Sequence, residues 1–204
     1  MIRIQLEAGL DLPLLPLLTE AMKSLPESVR EDSLPDQVNS FILERFRSYQ
    51  ENAGFRHDEI EAVLAVDPQR LADGQARLQA LQQFRSNPAA ASLAAANKRV
   101  ANILAKSKDP AADVVDQQLL VEPQEQALYE ALMSCGELLM PLVKQREYVA
   151  VCQQLAGLRQ VVDEFFDAVM VMAEQSELRR NRLALLVQMR QLFLQVADFS
   201  CLQG

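Results

Sequence analysis

The sequence predicts an all-α helical bundle, and three observations carry that prediction. Apolar residues recur at three- and four-residue spacings along most of the chain, and no strand-type alternation persists. Half of the 204 residues are apolar, enough to bury a substantial core in one large or two small domains. Glycine is scarce and tryptophan absent, whereas Ala, Leu and Gln are plentiful. Such unbranched side chains lose little freedom in a helix.

Residues 12–24 read as a short helix, with Pro26 beyond its end and Pro13 or Pro16 at its start, because proline is tolerated in a first turn. Residues 27–34 form a polar linker. Residues 35–52 place Val38, Phe41, Ile42, Phe46 and Tyr49 on one face, with Gly54 just past the end. Shorter helices follow over 58–66, ending before Pro68, and over 71–84, where Gly74 weakens the pattern. Pro88 opens a helix running to Lys106 with the apolar stripe Leu93, Ala96, Val100, Ile103 and Leu104. Residues 107–122 are acidic and irregular and divide an N-terminal helical segment, 1–106, from a C-terminal bundle, 107–204. Within that bundle the expected helices are 123–143, interrupted or bent near Gly136 and Pro141, then 146–173, then 175–199 with Ser176 as N-cap.

Net charge is −8, which alone argues against contact with phosphates. Its distribution argues otherwise. Between Arg85 and Lys108 lie five basic residues and no acid, and between Arg179 and Ala197 four arginines and no acid. Lys98, Asn102 and Lys106 fall at i, i+4, i+8 and so share one polar stripe, with Arg99 beside them. Arg179, Arg182 and Arg190 are expected on a flank of the last helix, beside the buried face formed by Leu178, Leu185, Met189, Leu192, Val196 and Phe199. Guanidinium groups there offer forked donors to phosphates or base edges. The alternative is surface ion pairing with Asp163, Glu164 and Asp167.

Motifs of catalysis are missing. The chain has no GxxxxGK[ST] loop and no GxSxG elbow. His57-Asp58 spells the dipeptide of metal phosphohydrolases, but His57 is the only histidine, and such sites need several converging ligands. The three cysteines, 135, 152 and 201, are odd in number and widely spaced, which fits reduced thiols better than a disulfide framework. Met170 and Met172, within FFDAVMVMA, read as core gap-fillers. The longest apolar runs are far too short to span a membrane and no secretory leader is visible, so a soluble, cytoplasmic protein is expected.

Several stretches carry a resemblance: FRHDEIEAVLA at 55–65, AAANKRVANIL at 94–104, FFDAVMVMA at 165–173 with LRRNRLALL at 178–186, and the closing ADFSCLQ at 197–203. In this order and spacing they resemble the C-terminal third of the β subunit of bacterial two-subunit glycyl-tRNA synthetases. The resemblance covers nearly the whole chain and is strongest from Phe55 onward. It implies a fragment in which Met1 is an internal or introduced start and Gly204 an added residue. It also implies a C-terminal bundle similar to the helical anticodon-binding domain of arginyl-tRNA synthetase. No catalytic site or cofactor is expected in this segment of a glycine–tRNA ligase. ATP and glycine would be bound by the separate α subunit. The implied partners are glycine tRNA, the α subunit and the remainder of β, with no membrane.

Charge and helix phase, not the resemblance, nominate the RNA-contacting residues: Lys98, Arg99, Asn102, Lys106, Arg179, Arg180, Arg182 and Arg190. Tyr129, Tyr148 and Phe199 are the aromatic candidates for stacking on splayed bases. A helical scaffold that contacts α or the rest of β without touching RNA is the alternative.

Overall fold

A computed structural model describes residues 2–203; Met1 and Gly204, and the expectations about them, lie outside the described residues. Among these the chain forms ten α-helices and no strand. They are α1 (Ile2–Glu7), α2 (Leu14–Lys23), α3 (Leu34–Asn52), α4 (His57–Leu64), α5 (Leu71–Phe84), α6 (Ala90–Lys106), α7 (Pro123–Lys144), α8 (Tyr148–Ala156), α9 (Arg159–Ala168) and α10 (Ser176–Leu194). Short 3₁₀ turns occur at Glu27–Val29, Gln117–Leu119 and Phe199–Cys201. No helix among the described residues is long and apolar enough to cross a membrane.

Local chemistry sets the helix ends. Gly54 takes φ +94° after α3, letting Phe55 N–H reach the Gln50 carbonyl at 3.1 Å and Gly54 N–H the Glu51 carbonyl at 3.0 Å. These two bonds are the Schellman closure that a left-handed glycine permits. Gly74 lies inside α5 for a different reason: a Cβ there would stand 3.2 Å from the Phe46 ring, which is fully buried.

Within the C-terminal bundle the structure departs from the expected helices at four places. The single helix expected over 146–173 is two helices and an irregular segment. The chain turns at Gly157-Leu158, where Gly157 N–H bonds the Gln154 carbonyl at 3.0 Å, and it becomes extended at Val169 (φ −104°, ψ 121°). Helix α7 runs unbroken past Gly136 and Pro141; the proline sits in its last turn and brings no N–H to the i−4 carbonyl there. Ser176 is the first residue of α10, and Gln175 occupies the cap position. Helix α10 stops at Leu194, and Asp198 starts a separate 3₁₀ turn by accepting from Ser200 N–H at 3.0 Å.

The core is continuous from Leu14 to Leu202. Helix α5 packs on α8, α7 on α8 and α9, and α6 on α9, α10 and the Phe199–Cys201 turn. Phe199 is fully buried, its ring 5.4 Å from that of Phe84 and 5.0 Å from that of Phe193. Burying one such ring stabilises the fold by roughly 1.5–3 kcal/mol. The C-terminal strap is tied back to α4: Gln203 N–H donates to the Asp58 carboxylate at 2.8 Å, and Arg85 bridges Asp58 and Glu59. This tie joins two of the stretches that carry the resemblance, 55–65 and 197–203.

Candidate nucleic-acid interface

Helix α6 is built from Ala, Leu and Val on its inner side, with Leu93 and Val100 fully buried. The same helical period therefore turns Lys98, Arg99, Asn102 and Lys106 outward, and all four are exposed. Asn97 of the same motif points inward and donates to the Leu93 carbonyl at 2.9 Å. The four outward residues line one open groove of about 530 Å³, whose far wall is Met172. Among the described residues none of Lys98, Arg99 and Lys106 forms an ion pair, so their charge is available to an incoming anion. The Arg99 guanidinium lies over the Phe166 ring of α9, 4.4 Å from its centroid, which orders it in advance of any contact.

The α10 arginines are placed differently from the expected shared flank. Arg182 is buried: its Nε bonds the Glu125 carboxylate at 2.7 Å, and its Nη1 bonds the Met170 carbonyl at 2.8 Å. Arg179 pairs with Asp109 at 2.6 Å and donates to the Ala173 and Glu174 carbonyls at 2.6 and 3.1 Å. Arg190 pairs with Asp198 at 2.7 Å. Arg180 alone of the four is exposed, with only its carbonyl engaged, by Ala112 N–H at 3.1 Å. The acids are thus Asp109, Glu125 and Asp198; Asp163 turns instead to Ser92 and Arg159.

Between these arginines Asn181 does related work. Its side chain accepts from Asp116 N–H at 2.7 Å and donates to the Asp116 carbonyl at 3.0 Å. The LRRNR segment is therefore an internal brace. It fastens the acidic stretch 107–122 on one side and the irregular segment 169–175 on the other. The sequence carries a signal for this: Arg182 stands three residues before Leu185 and seven before Met189, within the apolar stripe. An arginine in a buried stripe requires a buried acid.

The braced segment also overturns the reading of its methionines as core. Val169 and Val171 point inward, 4% and 5% exposed, and their neighbours do not. Met170 and Met172 are accordingly 75% and 48% exposed. Of the aromatic candidates, Tyr148 is buried with its hydroxyl on Asp73 at 2.6 Å, and Phe199 is core. Tyr129 is half-buried and its hydroxyl accepts from Gln117 at 3.2 Å. His57 is exposed at the start of α4, with its Nδ1 3.2 Å from Glu51.

The bundle thus presents one groove with unpaired basic residues and braces its surroundings with internal ion pairs. The chain belongs to the family described as DALR anticodon binding domain, whose model matches residues 93–198, over half of its length. That match starts within α6 and so includes the groove. Over 202 residues the chain is 48% identical to the glycine–tRNA ligase beta subunit of Edwardsiella ictaluri and 45% identical to that of Glaesserella parasuis. It is 46% identical to that of Sodalis glossinidius. Each match covers 99% of this chain and 29% of the relative, so the chain spans less than a third of the proteins it resembles.

Proposed function

We propose that the chain is the tRNA-recognition portion of a glycine–tRNA ligase and that the α6 groove meets the anticodon arm. The observation that carries this is the juxtaposition of unpaired Lys98, Arg99 and Lys106 with Asn102 in one groove of an anticodon-binding-family domain. The acidic whole repels phosphates at a distance, so contact is confined to this face. Arg180 extends it. Arg179 and Arg182 support it from within, and Arg190 belongs to the C-terminal tie. Ligation itself, with ATP and glycine, falls to a separate α subunit in the cytoplasm, and no cofactor is assigned to this chain.

Titration with glycine tRNA and a non-cognate tRNA at low and moderate salt tests the reading. Binding should favour the cognate and fall steeply with salt. The triple change Lys98→Ala, Arg99→Ala, Lys106→Ala should flatten the log–log salt slope by ~2.1–2.7, at ~0.7–0.9 for each phosphate left without its cation. An unchanged slope would refute it.

A second face supports the scaffold alternative. Met133, Leu138 and Met140 of α7 are 47–59% exposed, and two of them line a groove with Leu192 of α10. Such a patch fits the α subunit or the remainder of β. Met133→Lys with Met140→Lys should impair assembly with those chains and leave tRNA affinity of the isolated chain intact; the reverse pattern would exclude this role.

A further inference from the structure

Three features of the α6 groove are more than phosphate binding requires: an apolar wall, an amide between two cations, and a rigid mount for the wall. We propose that the groove holds one unpaired nucleobase of the anticodon loop, packed against Met172 with its edge on the Asn102 amide. The proposal rests on the anticodon-arm reading and gives that site a base-specific component.

Met172 is the wall. Its thioether is polarisable and packs well on the face of an aromatic ring. It is held outward by construction. Val169 and Val171 anchor the segment after α9 inside, Arg182 grips the Met170 carbonyl, and Arg179 grips those of Ala173 and Glu174. Both arginines are themselves fixed, by Glu125 and by Asp109. A half-exposed methionine on a braced backbone is a preformed surface, so little ordering entropy is lost when a flat ring covers it.

Asn102 is the reader. It lies one helical turn from Lys98 and one from Lys106, so an RNA strand neutralised by the two lysines passes over it. Its amide offers a donor and an acceptor side by side, which can pair with a Watson–Crick edge. Loop bases are the ones whose edges are free to be read, since paired A-form bases hide theirs. Arg99, stacked on Phe166, adds charge at the groove's edge. The volume of about 530 Å³ falls within the ~300–1,000 Å³ usual for clefts that take small planar ligands.

The test uses the 204-residue chain, the anticodon stem-loop of a glycine tRNA, and a series of that hairpin with each loop base in turn replaced by an abasic nucleotide. Met172→Ala should weaken the intact hairpin about 5- to 10-fold, the low end of base stacking on a side chain, with the salt slope unchanged. One abasic position should show the same loss, and Met172→Ala should add nothing to it. Asn102→Ala should reduce discrimination among bases at that same position. Met172 is exposed, so the variant should keep the wild-type circular dichroism. If Met172→Ala binds every hairpin as the wild type does while Lys98→Ala with Lys106→Ala weakens them all, the groove reads phosphates only. The proposal then falls and the anticodon-arm reading stands. A hairpin that the wild type does not bind at low salt, or that the lysine changes leave unaffected, overturns both.

Discussion

Replacing Arg182 by alanine leaves the Glu125 carboxylate inside the bundle without its cation. Glu125 is fully buried and Arg182 nearly so, and the pair is bidentate, at 2.7 and 3.3 Å. Removing one member of such a pair costs about 3–5 kcal/mol, because a buried charge is left uncompensated. That is a large part of the ~5–15 kcal/mol available to a domain. At ~2–4 °C per kcal/mol for a chain of this size, the thermal midpoint should fall by ~6–20 °C. The assay is thermal and urea unfolding followed by circular dichroism at 222 nm. Changing both partners, Arg182→Met with Glu125→Leu, should recover all but ~2 kcal/mol. The remainder is the cap that Glu125 gives to Glu122 N–H at 2.8 Å and the bond that Arg182 gives to the Met170 carbonyl at 2.8 Å. Charge and helix phase nominate Arg182 for RNA contact; its pairing with Glu125 makes Arg182→Ala a folding variant. A midpoint shift below ~3 °C, or a double variant no better than the single, would refute the reasoning.

Three further outcomes follow from the same packing. Burial works to raise the Asp58 carboxyl, but the Gln203 N–H and the charges of Arg85 and Arg56 outweigh it and hold the group below the usual carboxylate range. A depressed folded-state pKa means the stabilisation is complete above about pH 4 and is lost as pH falls further; Asp58→Asn should destabilise at pH 7 and flatten that acid decline in urea unfolding. Burial pushes the Cys135 thiol up to about 11 and Cys152 up to about 12, so a disulfide reagent at pH 8 should label both slowly in the native chain and all three cysteines rapidly in urea; fast native labelling of Cys152 would contradict the packing. Gly74→Leu should cost roughly 1–3 kcal/mol or more, because its side chain meets Phe46 and Pro68, whereas the same change at exposed Gly9 should reflect only its positive φ; equal effects would contradict the close approach at Gly74.

How much is legible varies by element, for physical reasons. Helices α3, α5, α6 and α7 can be read because each combines an apolar stripe with a proline or glycine near an end, and both signals are local. The split of α8 from α9 is also in the sequence, as Gly157, but the flanking apolar residues continue a helical period across it. Helix α1 has only six residues, too few to form alone, and depends on packing that buries Gln5. The exposure of Met170 and Met172 is written as a two-residue alternation with Val169 and Val171, short enough to pass for the end of a helix. At the candidate site the α6 residues are placed by helical phase alone, since their neighbours along the helix decide which way they face. Of the α10 arginines only Arg182 is marked by its phase, and the acids of all three paired ones stand eight to seventy residues away. Charge runs state how many cations a segment holds; only the fold states which of them are already neutralised.

If RNA meets the α6 groove and the methionine segment, with α7 turned elsewhere, amide hydrogen exchange of the chain with and without glycine tRNA, at low salt, should reveal it. Exchange should slow across residues 95–107 and 169–174, with peptides covering 133–143 unchanged. Protection confined to 133–143, with the α6 groove exchanging as in the free chain, would contradict it.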